Sequence, residues 1–271
     1  EDIKAADGES EDYYKKDDLI ATITTDETGV AKLTDLPLGK YYVKEKETAN
    51  GYVLDGTARE IDLTYRDQDT AEVTYSSDWQ NNRQKAEVKV LKKEKDSDRV
   101  LEGAVFALCN REDIVNANGD VILKADTVIE EQATDKEGKL TFTADLPIGY
   151  TYYVKETSPA PGFATTDQVQ EFTFEYDGAD KETLSYEFTF EDEPTVVEIT
   201  KTSLTDGKEL EGAKLEVTDE DGKVVDSWTS GKEAHIIKEL VAGKKYTLTE
   251  TKPADGYVTA ESITFTVEDS S

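Results

Sequence analysis

One block of residues occurs three times along this chain of 271 residues, and no other feature limits the possible folds so tightly. The first copy reads Asp35-Leu36-Pro37-Leu38-Gly39-Lys40-Tyr41-Tyr42-Val43-Lys44-Glu45, followed six residues later by Gly51-Tyr52. The second runs Asp145-Leu146-Pro147-Ile148-Gly149-Tyr150-Thr151-Tyr152-Tyr153-Val154-Lys155-Glu156, with Gly162-Phe163 at the same distance. The third runs Glu239-Leu240-Val241-Ala242-Gly243-Lys244-Lys245-Tyr246-Thr247-Leu248-Thr249-Glu250, with Gly256-Tyr257. Flanking signals repeat too. Thr25-Asp26-Glu27-Thr28-Gly29 matches Thr134-Asp135-Lys136-Glu137-Gly138, and Leu101-Glu102-Gly103-Ala104 matches Leu210-Glu211-Gly212-Ala213. Glu1-Asp2-Ile3 matches Glu112-Asp113-Ile114, and Asp7-Gly8 matches Asn118-Gly119. The expected organisation is three tandem units, 1–84, 85–193 and 194–271, of which the middle one is whole and the first is entered part-way through.

Between the turns, residues alternate apolar and polar, as in Glu171-Phe172-Thr173-Phe174-Glu175-Tyr176 and Ile263-Thr264-Phe265-Thr266-Val267. Alternation rich in β-branched and aromatic residues is the signature of half-buried antiparallel strands. Short strands separated by frequent turns give an all-β fold of tandem Ig-like sandwiches. The best helix signal, Lys124 to Gln132, predicts one or two turns within a loop. Asn116-Ala117-Asn118-Gly119-Asp120 reads as a hairpin turn, because a calcium loop would need a Glu where Thr127 stands.

Composition narrows the function. With 61 Asp+Glu against 31 Lys+Arg, the formal charge of −30 repels phosphate backbones and anionic lipid, so no nucleic-acid partner is expected. Cys109 is the only cysteine and His235 the only histidine, so neither a disulfide framework nor a Cys- or His-based metal site is expected. No cofactor is indicated. No apolar run is long enough to span a bilayer. Met is absent altogether, which reads as a piece processed or excised from a longer protein.

Strand phase then exposes an anomaly. Residues i, i+2 and i+4 share a face, so Lys92 continues the stripe of Val88 and Val90, and Lys201 that of Val197 and Ile199. Glu156 continues Tyr152 and Val154, Glu45 continues Tyr41 and Val43, and Glu250 continues Tyr246 and Leu248. Asp192 continues Phe188 and Phe190, and Asn81 is in phase with Trp79, whereas Asn82 points the other way. The Glu-to-Asp and Glu-to-Asn spacings agree at 36 residues (192 − 156 and 81 − 45), and Lys precedes its Leu-Glu-Gly-Ala corner by nine in both copies (101 − 92 and 210 − 201). An unpaired buried charge costs several kcal/mol, so such groups pair or shift their protonation. Two readings follow. One is a buried ion cluster, or strand ends where the charges reach water. The other is an amide between Lys92 and Asp192, with a desolvated neutral amine as nucleophile and Glu156 passing the proton.

The repeated block resembles the glutamate-containing E-box of Gram-positive pilins and adhesins, Tyr-x-Val/Leu-x-Glu-Thr-x-Ala-Pro-x-Gly-Tyr. With the Lys strand and the Leu-x-Gly-Ala corner, each unit resembles a Cna B-type (SpaA-like, prealbumin-like) domain. The resemblance implies Lys92 joined to Asp192 with Glu156 as catalyst, Glu45 with Asn81 in the first unit, and Lys201 with Glu250 in the third. It also implies that the first unit's Lys lies before Glu1 and that the third's Asp or Asn lies near position 286 (250 + 36) or somewhat earlier. The first unit departs from the pattern at Glu45-Lys46-Glu47-Thr48-Ala49-Asn50, which leaves Glu47 as a lesser candidate.

The implied function is a structural stalk segment of a cell-wall-anchored pilin or adhesin, extracellular, with single-turnover self-cross-linking and no other enzymatic activity. Its expected partners are neighbouring domains of the same surface protein, with any host glycan or matrix ligand bound through regions outside this sequence. The alternatives are a glycan- or matrix-binding sandwich and a spacer within a secreted enzyme.

Overall fold

The computed structural model describes residues 1–5, 7 and 9–269, so Gly8 of the Asp7-Gly8 match and the terminal Ser271 lie outside the described residues. No helix occurs among the described residues. The chain forms two compact bodies: Glu1–Gln84 together with Asp177–Glu182, and the rest of the described chain.

In the first body, β1 (Gly39–Val43) and β2 (Arg59–Leu63) pair antiparallel with Tyr41 opposite Ile61. Ile3 is buried, bridges Tyr14, and lies where a Cβ on residue 39 would come within 2.9 Å of its Cδ1, so Gly39 is needed for the close approach. The alternation around Trp79 and Asn81 does not form a strand here. A strand needs a neighbour for its ladder groups, and residues 1–84 contain no described counterpart of Lys85–Glu94, the strand against which the equivalent segment of the middle unit pairs.

The second body contains two sandwiches. In the middle unit, β3 (Lys85–Glu94), β8 (Lys139–Phe142) and β11 (Thr183–Asp192) form one sheet in the order β11-β3-β8. The facing sheet has the order β10-β9-β4-β7, made of β4 (Val105–Asn110), β7 (Val128–Ala133), β9 (Tyr150–Ser158) and β10 (Val169–Phe174). A small hairpin joins β5 (Ile114–Val115) to β6 (Val121–Leu123) across the predicted Asn116–Asp120 turn. The first and last strands, β3 and β11, run parallel side by side. Between the sheets, Val88, Val90, Phe106, Leu108, Tyr152, Val154, Phe172, Phe174 and Phe190 close one core. Every one is an inward position of the alternation, because a period-two pattern puts all apolar residues of a strand on one face.

The third unit repeats this plan. β12 (Val196–Ile199) pairs with β15 (His235–Lys238), and the facing sheet has the order β14-β13-β16-β17, made of β13 (Lys214–Thr218), β14 (Val224–Thr229), β16 (Lys245–Lys252) and β17 (Ile263–Thr266). This is the plan of the middle unit without described counterparts of β11 and of the β5–β6 hairpin.

One expectation is corrected. Lys124 to Gln132 contains no helical turn: a tight turn at Ala125-Asp126 leads into β7, which pairs with β4. Sheet pairing overrides a weak local helix preference. His235 opens β15 half-buried, its ring stacked on Trp228 with centroids 4.1 Å apart and Nε2 2.8 Å from Asp226 Oδ2. Cys109 is fully buried on β4.

Candidate functional site

The anomalous charges of the middle unit meet inside the sandwich. Lys92 on β3, Glu156 on β9 and Asp192 on β11 have fully buried side chains. Lys92 Nζ lies 3.0 Å from Glu156 Oε1 and is in hydrogen-bonding contact with Asp192 Oδ1. Phe106 walls the site, its centroid 5.6 Å from Lys92 Nζ and 4.8 Å from the Phe190 ring. Beyond the Lys92 contact Glu156 Oε1 has no hydrogen-bond partner, and Asp192 Oδ2 is buried facing the same site.

Two carboxyl groups facing one amine in apolar surroundings cannot both ionise cheaply. Burial pushes the Glu156 carboxyl up to about 7, opposed by Lys92 and reinforced by Asp192. Burial likewise raises the Asp192 carboxyl, opposed by its bond to Lys92 and reinforced by the charge of Asp269. Both carboxyls therefore hold a proton to higher pH than an exposed carboxyl does. An amine touching a carboxyl group, with a second carboxyl able to carry a proton, is the arrangement required for condensation.

Backbone geometry holds each group in place. Glu156 Oε2 accepts the Thr166 N–H at 3.2 Å, Glu45 Oε2 accepts the Asp55 N–H at 2.8 Å, and Glu250 Oε2 accepts the Ala260 N–H at 2.6 Å. The donor is ten residues downstream each time. This clamp fixes one carboxylate oxygen. The other then faces Lys92, Asn81 or Lys201.

The nine-residue Lys-to-corner spacing also has a cause: the Leu101 N–H donates to Lys92 O at 3.0 Å, and the Leu210 N–H to Lys201 O at 2.7 Å. Each corner is closed by a buried hydroxyl. Thr134 Oγ1 donates to Leu101 O (2.7 Å) and accepts the Ala104 N–H (3.1 Å). Ser230 Oγ does the same with Leu210 O (2.6 Å) and the Ala213 N–H (2.9 Å).

In the third unit Lys201 Nζ lies 3.3 Å from Glu250 Oε1, but its side chain is 20% exposed where that of Lys92 is fully buried. The difference is β11, which covers Lys92 and brings Asp192; no described strand covers β12 on that side. In the first unit Asn81 Nδ2 donates to Glu45 Oε1 and Oε2, both at 2.8 Å, and to Thr48 Oγ1 at 2.6 Å. Glu47 is exposed, as is Asn82, whose carbonyl instead accepts the Val53 N–H. The structure thus brings Glu45 and Asn81 together, and leaves Glu47 and Asn82 outside this contact.

Thr134, Ser230 and the amides of residues 55, 166 and 260 do not stand out in the sequence. The hydroxyls carry a weak signal, a Ser or Thr 33 or 20 residues after each corner Leu (134 − 101 and 230 − 210). The amide donors carry none, since any non-proline residue supplies one. Among the described residues no group of His, Cys, Asp and Glu is arranged to hold a metal ion.

Comparison with known proteins agrees with this plan. The family model described as SpaA, a prealbumin-like fold domain, matches residues 5–79, 86–188 and 195–271. No curated protein matches the sequence. Among solved structures, the Bacillus anthracis TIE protein is 28% identical over 91% of this chain and 43% of its own, with a TM-score of 0.56. The chain thus spans less than half of that protein's length. A streptococcal ancillary pilin is 22% identical over 92% of this chain and 76% of its own, with a TM-score of 0.33. The shaft pilin SpaA of Lactobacillus rhamnosus GG is 17% identical over 69% of this chain and 94% of its own, also with a TM-score of 0.33. With three family matches that cover nearly its full length, the chain belongs to the SpaA prealbumin-like fold domain family.

Proposed function

We propose that this chain is a stalk segment of a surface protein, outside the cell and anchored to the wall through another region, whose middle unit (85–193) closes an amide between Lys92 and Asp192. The observation that carries the reading is the contact of Lys92, Glu156 and Asp192 in a fully buried site. In the proposed reaction Lys92 Nζ attacks Asp192 Cγ. The departing Asp192 oxygen leaves with its own carboxyl proton and one more, which passes to it from the attacking nitrogen through Glu156. One C–N bond forms, one C–O bond breaks, and one water leaves.

The first unit (1–84) holds the Glu45–Asn81 half of such a site, where condensation would release ammonia, and the third (194–271) holds the Lys201–Glu250 half. Each E-box glutamate plays the same part in this reading. The chemistry turns over once, so the chain is a structural element and not an enzyme. Its partners are neighbouring domains of the same surface protein, and no cofactor takes part.

The bond has a mechanical purpose. Asp192 lies 100 residues beyond Lys92, and a cross-link closing a loop of that size is worth about 4–5 kcal/mol in the chain-entropy account. The intact mass of the denatured chain tests the reading. One water less than the sequence mass is expected, with the full mass restored in Lys92→Ala and Glu156→Ala. The full sequence mass in the unaltered chain would overturn it and leave an ordinary ion cluster.

A further inference from the structure

The three groups of the middle site lie on segments that the third unit grips separately. Beyond Lys92, β3 runs into a loop whose Arg99 is bound by Glu239, Nη1 to Oε1 at 2.6 Å and Nη2 to Oε2 at 2.9 Å. Arg99 also lies over the Phe163 ring at 5.4 Å. Three residues beyond Asp192, Thr195 is fully buried. Its N–H donates to Gly162 O at 3.0 Å, its Oγ1 contacts Gly162 O at 3.2 Å and bonds to Leu240 O, and its carbonyl accepts the Glu239 N–H at 3.0 Å.

The loop after Glu156 is held as well. Its Thr166 N–H clamps the Glu156 carboxylate, and the adjacent Thr165 is bound by Asp269, N–H to Oδ1 at 2.8 Å and Oγ1 to Oδ2 at 2.6 Å. Gly162 cannot be replaced without disturbing this joint: at φ +90° a Cβ there would lie 2.7 Å from Glu239 O.

We propose that the third unit positions the reacting groups of the middle unit, with Asp269 and Glu239 acting as positioning residues for closure of the Lys92–Asp192 amide. The inference rests on the amide reading above. Each contact fixes the segment carrying one reactant, and misplacement by about 1 Å costs a reaction between held groups on the order of 100-fold. Closure in the middle unit therefore waits on docking of the third. Cross-linking then follows the order in which the chain is made, and a unit is locked only after its neighbour is seated.

The test uses the full chain, recovered unlinked in denaturant, refolded by dilution and quenched in acid at intervals. Intact mass gives the fraction that has lost water, and circular dichroism follows folding in parallel. Asp269→Ala and Arg99→Ala are each expected to slow water loss about tenfold or more at an unchanged folding rate. Asp269→Asn keeps an acceptor for the Thr165 N–H but not the charge that acts on Asp192, and is expected to close near the normal rate. Closure of Asp269→Ala and Arg99→Ala at the normal rate would overturn the proposal while leaving the amide reading intact. Equal slowing in Asp269→Asn and Asp269→Ala would also overturn it, by tracing the effect to charge. Failure of the unaltered chain to lose water would remove the amide reading itself, and this proposal with it.

Discussion

Replacing Glu156 by Gln separates the chemistry of the buried site from its packing. Gln has nearly the same volume, and its carbonyl oxygen can accept the Thr166 N–H that Glu156 Oε2 accepts at 3.2 Å. What it lacks is a proton that can be taken up and released. In the variant, Lys92 and Asp192 stay in contact inside an apolar site with no group to relay the proton. The expected mass is that of the sequence, one water heavier than the cross-linked chain.

The energetic consequence follows from the 100-residue separation of Lys92 and Asp192. Without the bond, the unfolded chain regains loop entropy worth about 4–5 kcal/mol. For a domain of this size each kcal/mol corresponds to about 4–8 °C in Tm. Calorimetry of Glu156→Gln should therefore show the middle unit melting roughly 15–40 °C lower. Two results would refute the reasoning. A variant still one water light would remove Glu156 as the proton carrier. A variant at full mass with an unchanged melting temperature would mean that the bond does not constrain the unfolded chain.

Three further outcomes follow from the same geometry. Phe190→Ala removes a fully buried ring packed at a tilt against Phe106, centroids 4.8 Å apart, and should destabilise the middle unit by about 3–5 kcal/mol, read by denaturant unfolding. Thr134→Val leaves Leu101 O without its hydroxyl donor and the Ala104 N–H without its acceptor, and should cost about 1–3 kcal/mol with no change in mass. The rate of closure should fall as pH rises through about 7, because burial raises both carboxyls, Glu156 from 4.5 to about 7, and the carboxyl proton that must leave with the Asp192 oxygen is lost as the pair ionises. Quenched refolding over a pH series, read by mass, checks this, and a decline centred near 4.5 would show Glu156 behaving as an exposed carboxyl.

Much of the middle unit is legible in the sequence because burial is written as period-two alternation. Val88, Val90 and Lys92 fall on one face, and all three are buried. Asn81 was singled out over Asn82 by its 36-residue distance from Glu45, and although residue 81 lies in no strand the local chain turns its side chain toward Glu45. Alternation is silent on pairing, however. It could not say that residues 71–82 would lack a strand partner, nor that Val128 would start a strand instead of following a helical turn. The backbone donors to the three glutamates were illegible for a different reason, because an amide N–H carries no residue identity. Thr195 was missed because a single Thr in a linker looks like solvent-facing turn chemistry, whereas here its N–H, carbonyl and hydroxyl are all used inside the joint.

The comparison of Lys92 with Lys201 shows what β11 contributes beyond a carboxyl group. Both lysines sit near a glutamate clamped by the amide ten residues on, and both carbonyls hold the corner Leu. Only Lys92 is fully enclosed, because β11 lies parallel against β3 with Phe190 opposite Lys92. The strand that brings Asp192 is thus also the strand that excludes water, so reactivity and desolvation arrive in one folding step. Parallel pairing has a second effect. Tension applied at the two ends of the middle unit enters β3 at Lys85 and leaves β11 at Asp192. In the proposed cross-linked form it would pass from Lys92 straight to Asp192, and nothing between them would carry load. An antiparallel arrangement of the same two strands would put the chain exit at the far end of β11 from the bond, and tension would then have to peel the strand before reaching it. The parallel first and last strands are therefore the feature of this fold that would let the single proposed amide bear force.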